Sequence, residues 1–327
     1  MRNIIFLIAF HFACFSQAQN YFDYTRLITQ TDSMIISGNY HDAMLQMDLI
    51  DRNFDFIYAS HCVKGLQLSL INSDSLRSAK WLKRCMIQGV PLWMLKQHEI
   101  TSKVFNSSVY TPIIAQHDSF RAIYLSRINL KLRKIIDSLT LIDQFRTDRV
   151  NNGFIVFRYT VYGIQWLNRN RKNFEYIKSI TEQYGFPGER LIGVDPKFDD
   201  SLEMKNYFSY YGPEPLETSA FIMLIHYYSS PGKNINSLLI DQARKGNLPS
   251  YQYASINDFI AEYGKSKNDS IGFYNEWHID TDSTQNKIIN SRRAFIGLGS
   301  FEFKRKLNKL ELNARLNKGT LRAINLN

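Results

Sequence analysis

One register of residues occurs twice near the start of the chain, 35 residues apart, and it limits the fold more than any other feature. Gly38, Tyr40, Ala43, Met47 and Ile50 fall at the spacing of one helix face. Ser73 then stands where Gly38 stood, Ser78 for Ala43, Leu82 for Met47 and Cys85 for Ile50. Small residues let a neighbouring helix approach, and the larger ones pack against the next helix pair. Two such pairs cannot cover their own open end, so the rest of the chain must do it.

The period is close to the roughly 34 residues of tetratricopeptide arrays, and this register is the one used by the second helix of such a repeat. The spacing predicts a tetratricopeptide-like module over 19–116, with Gly89-Val90-Pro91 stopping the second pair and Leu92 to Ala115 as a helical cap. A second, larger helical unit over 117–327 follows. A chain of 327 residues, 44% hydrophobic and 21% charged, has the length and composition for two packed units rather than disorder.

Residues 1–18, MRNIIFLIAFHFACFSQA, carry one early Arg, an apolar run from Ile4 to Phe15 and a small-x-small site at Ser16-Gln17-Ala18. That pattern predicts a signal peptide, too short to cross a membrane as a helix, and an exported protein in the periplasm or outside the cell. Cys14 raises a lipoprotein signal, which His11 and Phe12 suit poorly. The net charge of +10 is concentrated near the end, where residues 286–327 hold ten Lys or Arg against Glu302 and Glu311. Such a basic C-terminal helix suits an anionic surface or an acidic partner, or is a solvated face behind Phe303, Leu307, Leu310 and Ala314. Nucleic acid is not expected for an exported protein.

Cys62 and Cys85 remain after cleavage. If Asn72 to Ser75 turns between antiparallel helices, the two lie equally far from the turn. They either form a disulfide, which would add roughly 3 kcal/mol by loop closure, or stay as core thiols. Without histidines at ligand spacing no metal site is expected, and no cofactor motif is present.

Further along, SFRAIYLSRINLKLRKIIDSLTLIDQFRTDRV reads as one helix with Ile128, Leu132, Ile135, Leu139, Ile142, Arg146 and Val150 as its stripe. FIVFRYTVYG reads as a short strand or a buried helix start. Asn173 to Tyr184 is a helix closed by the elbow YGFPGERLIG, where Gly185 suits a left-handed cap and Pro187 prevents continuation. Residues 195–216 read as an exposed excursion. ETSAFIMLIHYYSS is apolar on all sides and predicts a central helix. Leu238 to Lys245 and Tyr251 to Tyr263 are two more helices, and FYNEWHID a strand. The expected class is mainly α: tetratricopeptide-like repeats, then a helical domain with at most a small β-hairpin.

Candidate chemistry sits in that second unit. Asp143 and Arg146 share a helix face, either as a local ion pair or as part of a site. His226 lies in the most apolar helix, as a satisfied core residue or as a general base oriented by Asp143 or Asp258. Asp258 caps or pairs locally in the plainer reading. Arg190, past the elbow, either packs over the helix end or grips a carboxylate or phosphate with its planar fork.

Across about residues 132–307 these pieces resemble a family of bacterial proteins defined by a domain of unknown function. The resemblance rests on Asp143-Gln144-x-Arg146, Asn173, Tyr184-Gly185-Phe186-Pro187, Gly193, His226 and Leu238 to Gly246. It continues through Tyr253-Ala254 with Asp258, and Asn290-x-Arg292-Arg293 before Ile296-Gly297-Leu298. The Ala59 to Gly89 segment is similar to repeat modules in secreted Bacteroidetes-type proteins. Where the family shows Gln before the histidine and an acidic residue two after it, this chain has Ile225 and Tyr228; where it shows Tyr-Gly-Thr, this chain has Tyr274-Asn275-Glu276. The resemblance implies a fold and a site location rather than a reaction, with Tyr274 joining Arg146 and Arg190 as ligand-binding candidates. The expected function is binding of a protein, peptide or envelope glycan. The alternative is a hydrolase-like enzyme using His226 with Asp143 or Asp258 and an arginine for an anionic substrate.

Overall fold

Short polar side chains begin several helices and left-handed residues end several more. In the computed structural model, which describes residues 19–194, 220–263, 273–276 and 283–307, Asn20 accepts from the Phe22 N–H at 3.1 Å and starts α1 (Tyr21–Ile36). Helix α2 (Tyr40–Asn53) completes the first pair, and α3 (Ala59–Ile71) with α4 (Ser75–Ile87) forms the second. Asp74 caps α4 by accepting from the Arg77 N–H at 2.9 Å.

The two pairs turn in the same way. Gly38 has φ 74° and Ser73 has φ 56°. Gly38 N–H donates to Ile35 O at 3.0 Å and Asn39 N–H to Met34 O at 2.8 Å; Ser73 N–H donates to Leu70 O at 3.2 Å and Asp74 N–H to Ser69 O at 2.9 Å. Ala43, Met47, Ile50, Ser78, Leu82 and Cys85 are all fully buried. The recurrence in sequence is therefore also a recurrence of backbone and burial.

Beyond the pairs run α5 (Leu92–Gln97), a tight helical turn at Thr101–Asn106, α6 (Thr111–Ile114) and α7 (His117–Arg127). Helix α7 gives Phe120, Tyr124 and Leu125 to the first core, so the change of core falls at α8 rather than at residue 117. The long helix expected from Ser119 is broken. Ile128 is extended, and Asn129 caps α8 (Leu130–Asn152) by accepting from the Leu132 N–H at 3.0 Å. The buried face of α8 is Leu132, Arg133, Ile136, Thr140 and Asp143, while Ile142 of the expected stripe is exposed. The stripe shifted because three of the buried residues are polar, and an apolar periodicity cannot see them.

No strand occurs among the described residues. FIVFRYTVYG is helical: α9 (Ile155–Phe157), a widened turn at Arg158–Tyr162, then α10 (Gly163–Tyr184). A strand here would have no partner for its N–H and C=O groups, whereas a helix satisfies them within the segment. Helix α11 (Glu189–Ile192) follows the elbow; α12 (Ala220–Tyr228), α13 (Asn236–Arg244), α14 (Ser250–Tyr263) and α15 (Ser283–Phe295) build the second core. Helix α12 is buried nearly all round, as its composition predicts, and packs against α8, α10 and α14. Phe174 stacks on Tyr227 there, centroids 3.9 Å apart. The signal-peptide segment, the 195–216 excursion and the basic end beyond Leu307 lie outside the described residues.

The elbow joins the two cores. Gly193 has φ 68°, and a Cβ on it would lie 2.2 Å from the Tyr124 hydroxyl, which donates to Val194 O. Arg133, buried in α8, donates to Gly193 O at 2.7 Å and pairs with Asp137 at 2.8 Å. Glu189 reaches across and accepts from the Ala59 N–H at the start of α3, at 2.7 Å. Burial raises the Glu189 carboxyl from 4.5 to about 8, against the opposing pull of the Ala59 N–H and of Arg127. Cys62 and Cys85 are buried free thiols on the facing helices α3 and α4, and burial raises both.

Two outcomes follow from this frame. Nothing lies within 4 Å of a Cβ on Gly38, so the left-handed backbone alone decides there. Ser73→Gly is expected to stabilise by about 0.5–1 kcal/mol and Gly38→Ser to destabilise by about 1 kcal/mol, read from denaturant midpoints. A raised folded-state value means that Glu189 contributes most below pH 4.5 and that its contribution fades as pH rises to about 8. The melting temperature should fall across that window. Glu189→Gln, which keeps the acceptor and removes the titration, should flatten the fall, most visibly near pH 8.

Candidate functional site

Three helices bring the polar residues of the second core together. On α8, Asp143, Arg146 and Thr147 share a face; on α10, Trp166, Arg169, Asn170 and Asn173 do. Helix α12 supplies His226. The Asp143 carboxylate has 0% of its side chain exposed and meets His226 Nδ1 at 2.6 Å, while the imidazole is 17% exposed. Asn173 Nδ2 donates to the other Asp143 oxygen at 3.5 Å.

The surroundings hold this pair in place. Asn170 Nδ2 donates to His226 O at 3.1 Å and ties α10 to α12. Trp166 Nε1 donates to Thr147 Oγ1 at 3.0 Å, and that hydroxyl donates to Asp143 O at 3.0 Å. The Trp166 and His226 ring centroids are 6.0 Å apart. Arg146 Nη1 donates to Gln165 Oε1 at 3.0 Å. Arg146 is thus not the partner of Asp143; the histidine is.

Four buried polar atoms of this constellation lack a hydrogen-bond partner among the described residues: Arg146 Nε, Arg169 Nε, Asn170 Oδ1 and Asn173 Oδ1. Leaving one such group unmade costs about 1–3 kcal/mol, so a cluster of them calls for a missing occupant. Two are cationic donors, which suit an anion. A carboxylate on Nδ1 favours the tautomer with its proton there, leaving Nε2 as an acceptor or base. No partner for Nε2 occurs among the described residues.

The other candidates lie elsewhere. Asp258, on α14, accepts from the backbone N–H groups of Tyr274 at 2.5 Å, Asn275 at 3.2 Å and Glu276 at 2.6 Å. It therefore does not orient His226. Burial raises it to about 7, while the same three N–H groups pull it down. Tyr274 is buried against Tyr253, centroids 5.8 Å apart, in the loop Asp258 holds; residues 273–276 of the expected strand form this irregular turn. Arg293 grips the loop from α15 through Tyr274 O at 3.0 Å and Glu276 at 2.5 Å, and Lys304 also pairs with Glu276. These members of the basic end point inward, and burial lowers Lys304 and Arg292.

Arg190 sits at the junction, donating to Lys245 O at 3.0 Å and to Asp55, with its guanidinium over Tyr21 and Phe56. The cysteines are far from this chemistry, in the first core. Of the candidates, the structure brings together Asp143, Arg146 and His226 and separates Asp258, Arg190 and Tyr274 from them. Sequence reasoning missed Trp166, Arg169 and Asn170. Their helical spacing was visible, but a helix rich in Arg and Asn reads as a solvated one. Among the described residues no group of His, Cys, Asp or Glu is placed to hold a metal ion, and no helix is long and apolar enough to cross a membrane. No protein-family model, curated protein or solved structure matches the chain.

The pair has a direct spectroscopic test. Imidazole nitrogen shifts should show His226 with its proton on Nδ1 in the wild type, and Asp143→Asn should lose that preference. The same substitution should cost about 1–3 kcal/mol of stability, because one amide cannot serve every donor that the carboxylate accepts.

Proposed function

We propose that the chain is an exported helical protein whose C-terminal bundle binds a small anionic molecule at Asp143, Arg146 and His226. The observation that supports this reading is the set of buried atoms, with no partner among the described residues, on the α8 and α10 faces that carry Asp143 and Asn170, two of them arginine Nε donors. An anionic group on Arg146 and Arg169, with its hydroxyls toward Asn170, Asn173 and His226, would satisfy them. The export rests on residues 1–18 alone, and the family resemblance agrees with the place of the site without adding a ligand. The repeat-like helix pairs leave room for a protein or glycan partner as well.

A second reading has its own support. A wholly buried carboxylate at 2.6 Å from Nδ1 is the arrangement that orients an imidazole as general base. In a hydrolase-like reaction His226 Nε2 would take a proton from water and return it to the leaving group, while the arginines hold the anion.

A thermal-shift screen of phosphorylated, sulfated and carboxylated sugars tests both. A ligand at a hundredfold its Kd adds about 2.7 kcal/mol to the native state, an easily read rise in melting temperature. That rise should vanish in Arg146→Gln and shrink in His226→Ala. If no anionic compound shifts the wild type, or if both variants respond as the wild type does, the binding reading fails. Turnover of a bound ester that drops roughly a hundredfold or more in His226→Gln, with binding retained, would favour the enzyme.

A further inference from the structure

Large apolar side chains on the described surface are unevenly spread. Nine of the eighteen that are exposed fall between Leu141 and Ile164, around the end of the hairpin that α8 and α10 make. Phe154, Ile155, Val156 and Phe157 follow one another there, and Ile155 is 69% exposed. Four consecutive exposed apolar residues are unfavourable in water and are kept only where something covers them. The segment packs on the turn Arg158–Tyr162, which in turn packs on α8 and α10, and none of the four side chains belongs to either core. Its backbone is also unusual: Arg158–Tyr162 is a π-turn, a form found mostly at functional sites.

The charges around this tip identify what covers it. Arg149 and Arg158 stand at the tip against Asp148, and Arg171 and Lys172 are exposed further along α10, apart from the Arg146 and Arg169 of the anion site. The Arg149 guanidinium lies over the Phe145 ring at 4.7 Å and the Tyr162 ring at 5.5 Å, which brings cation and aromatic faces to one flank. A second copy of the chain would meet the tip with the same positive charge, since a two-fold contact sets each patch against itself. The end of a helical hairpin is also convex, a poor match for another convex surface and a good wedge for a deformable one. Apolar and aromatic side chains at an apex, ringed by arginines, fit the boundary of an anionic bilayer, with the rings at headgroup depth and the guanidinium groups on phosphates.

We propose that the α8–α10 hairpin tip, through Phe154 to Phe157 and the flanking Arg149 and Arg158, docks the protein on an anionic phospholipid surface. This docking is separate from the anion site beside His226 and from the basic end of the chain. The test is co-sedimentation of the full chain with vesicles of phosphatidylglycerol and phosphatidylcholine, compared with phosphatidylcholine alone. Wild type should bind the anionic vesicles, less at high salt but not zero, because the apolar part of the contact is not screened. The double variant Ile155→Asp and Val156→Asp, at positions 69% and 62% exposed and in neither core, should bind roughly tenfold or more weakly with an unchanged melting temperature. Arg149→Gln should weaken binding to a smaller degree and reduce its salt dependence. A second full-length variant carrying Lys309→Gln, Arg315→Gln, Lys318→Gln and Arg322→Gln separates the basic end from the tip. The proposal is overturned if wild type ignores anionic vesicles, or if the tip variant binds as well as wild type, whichever way the second variant behaves. It is also overturned if sedimentation velocity shows a wild-type dimer that Ile155→Asp dissolves, since the occupant would then be a second copy.

Discussion

Two cores meet at a ten-residue elbow through a close approach of backbone to side chain, and are tied again by Thr25 to Ser250, Thr29 to Gly297 and Tyr58 to Gly246. Gly193 leaves the space that the Tyr124 hydroxyl occupies, and Arg133 clamps the Gly193 carbonyl from beneath. With those contacts in place, Glu189 reaches the first turn of α3 and Arg190 reaches Asp55. The partners come from three stretches remote in sequence, Asp55 to Ala59, Tyr124 to Arg133 and Glu189 to Gly193, so the junction forms only when both cores are already shaped. A side chain at position 193 would push Tyr124 away and loosen all of these links together.

Two buried carboxylates of the second core show how environment divides similar groups. Asp258 spends its lone pairs on three backbone N–H groups and so fixes a loop. Asp143 turns one oxygen to an imidazole that still reaches solvent. The first arrangement is closed and has nothing left to offer a ligand. The second is open on the side of His226, among arginine and asparagine atoms with unmet hydrogen-bonding capacity.

Much of the helical plan was legible before any coordinates. Apolar periodicity predicts α2, α4, α12, α13 and α14 because their buried faces are apolar, and the recurrence of Gly38 at Ser73 anticipates a shared left-handed turn. The misreadings have a common physical source. The α8 stripe is displaced because Arg133, Thr140 and Asp143 are buried with partners that only the tertiary structure supplies. Of the two readings of FIVFRYTVYG the helix holds, exposed rather than buried, while the strand that its side chains favour would need a non-local partner, and no neighbouring strand is described. The pairing of Asp143 with His226 spans 83 residues, so the sequence contained both members and not the choice between Asp143 and Asp258. For Arg190 the sequence offered the arginine and not its partner, because Asp55 is 135 residues away.

Helices α8 and α10 carry the apolar apex at one end and Asp143, Trp166 and Asn170 further down, while His226 belongs to α12. The apex and Asp143 are separated by about nine residues of one helix, roughly 14 Å. A straight pair of helices transmits tilt with little loss over such a span. Because Asn170 ties α10 to α12 and the Asp143 carboxylate meets His226, a tilt of the hairpin is shared with the helix that carries the imidazole rather than taken up between them.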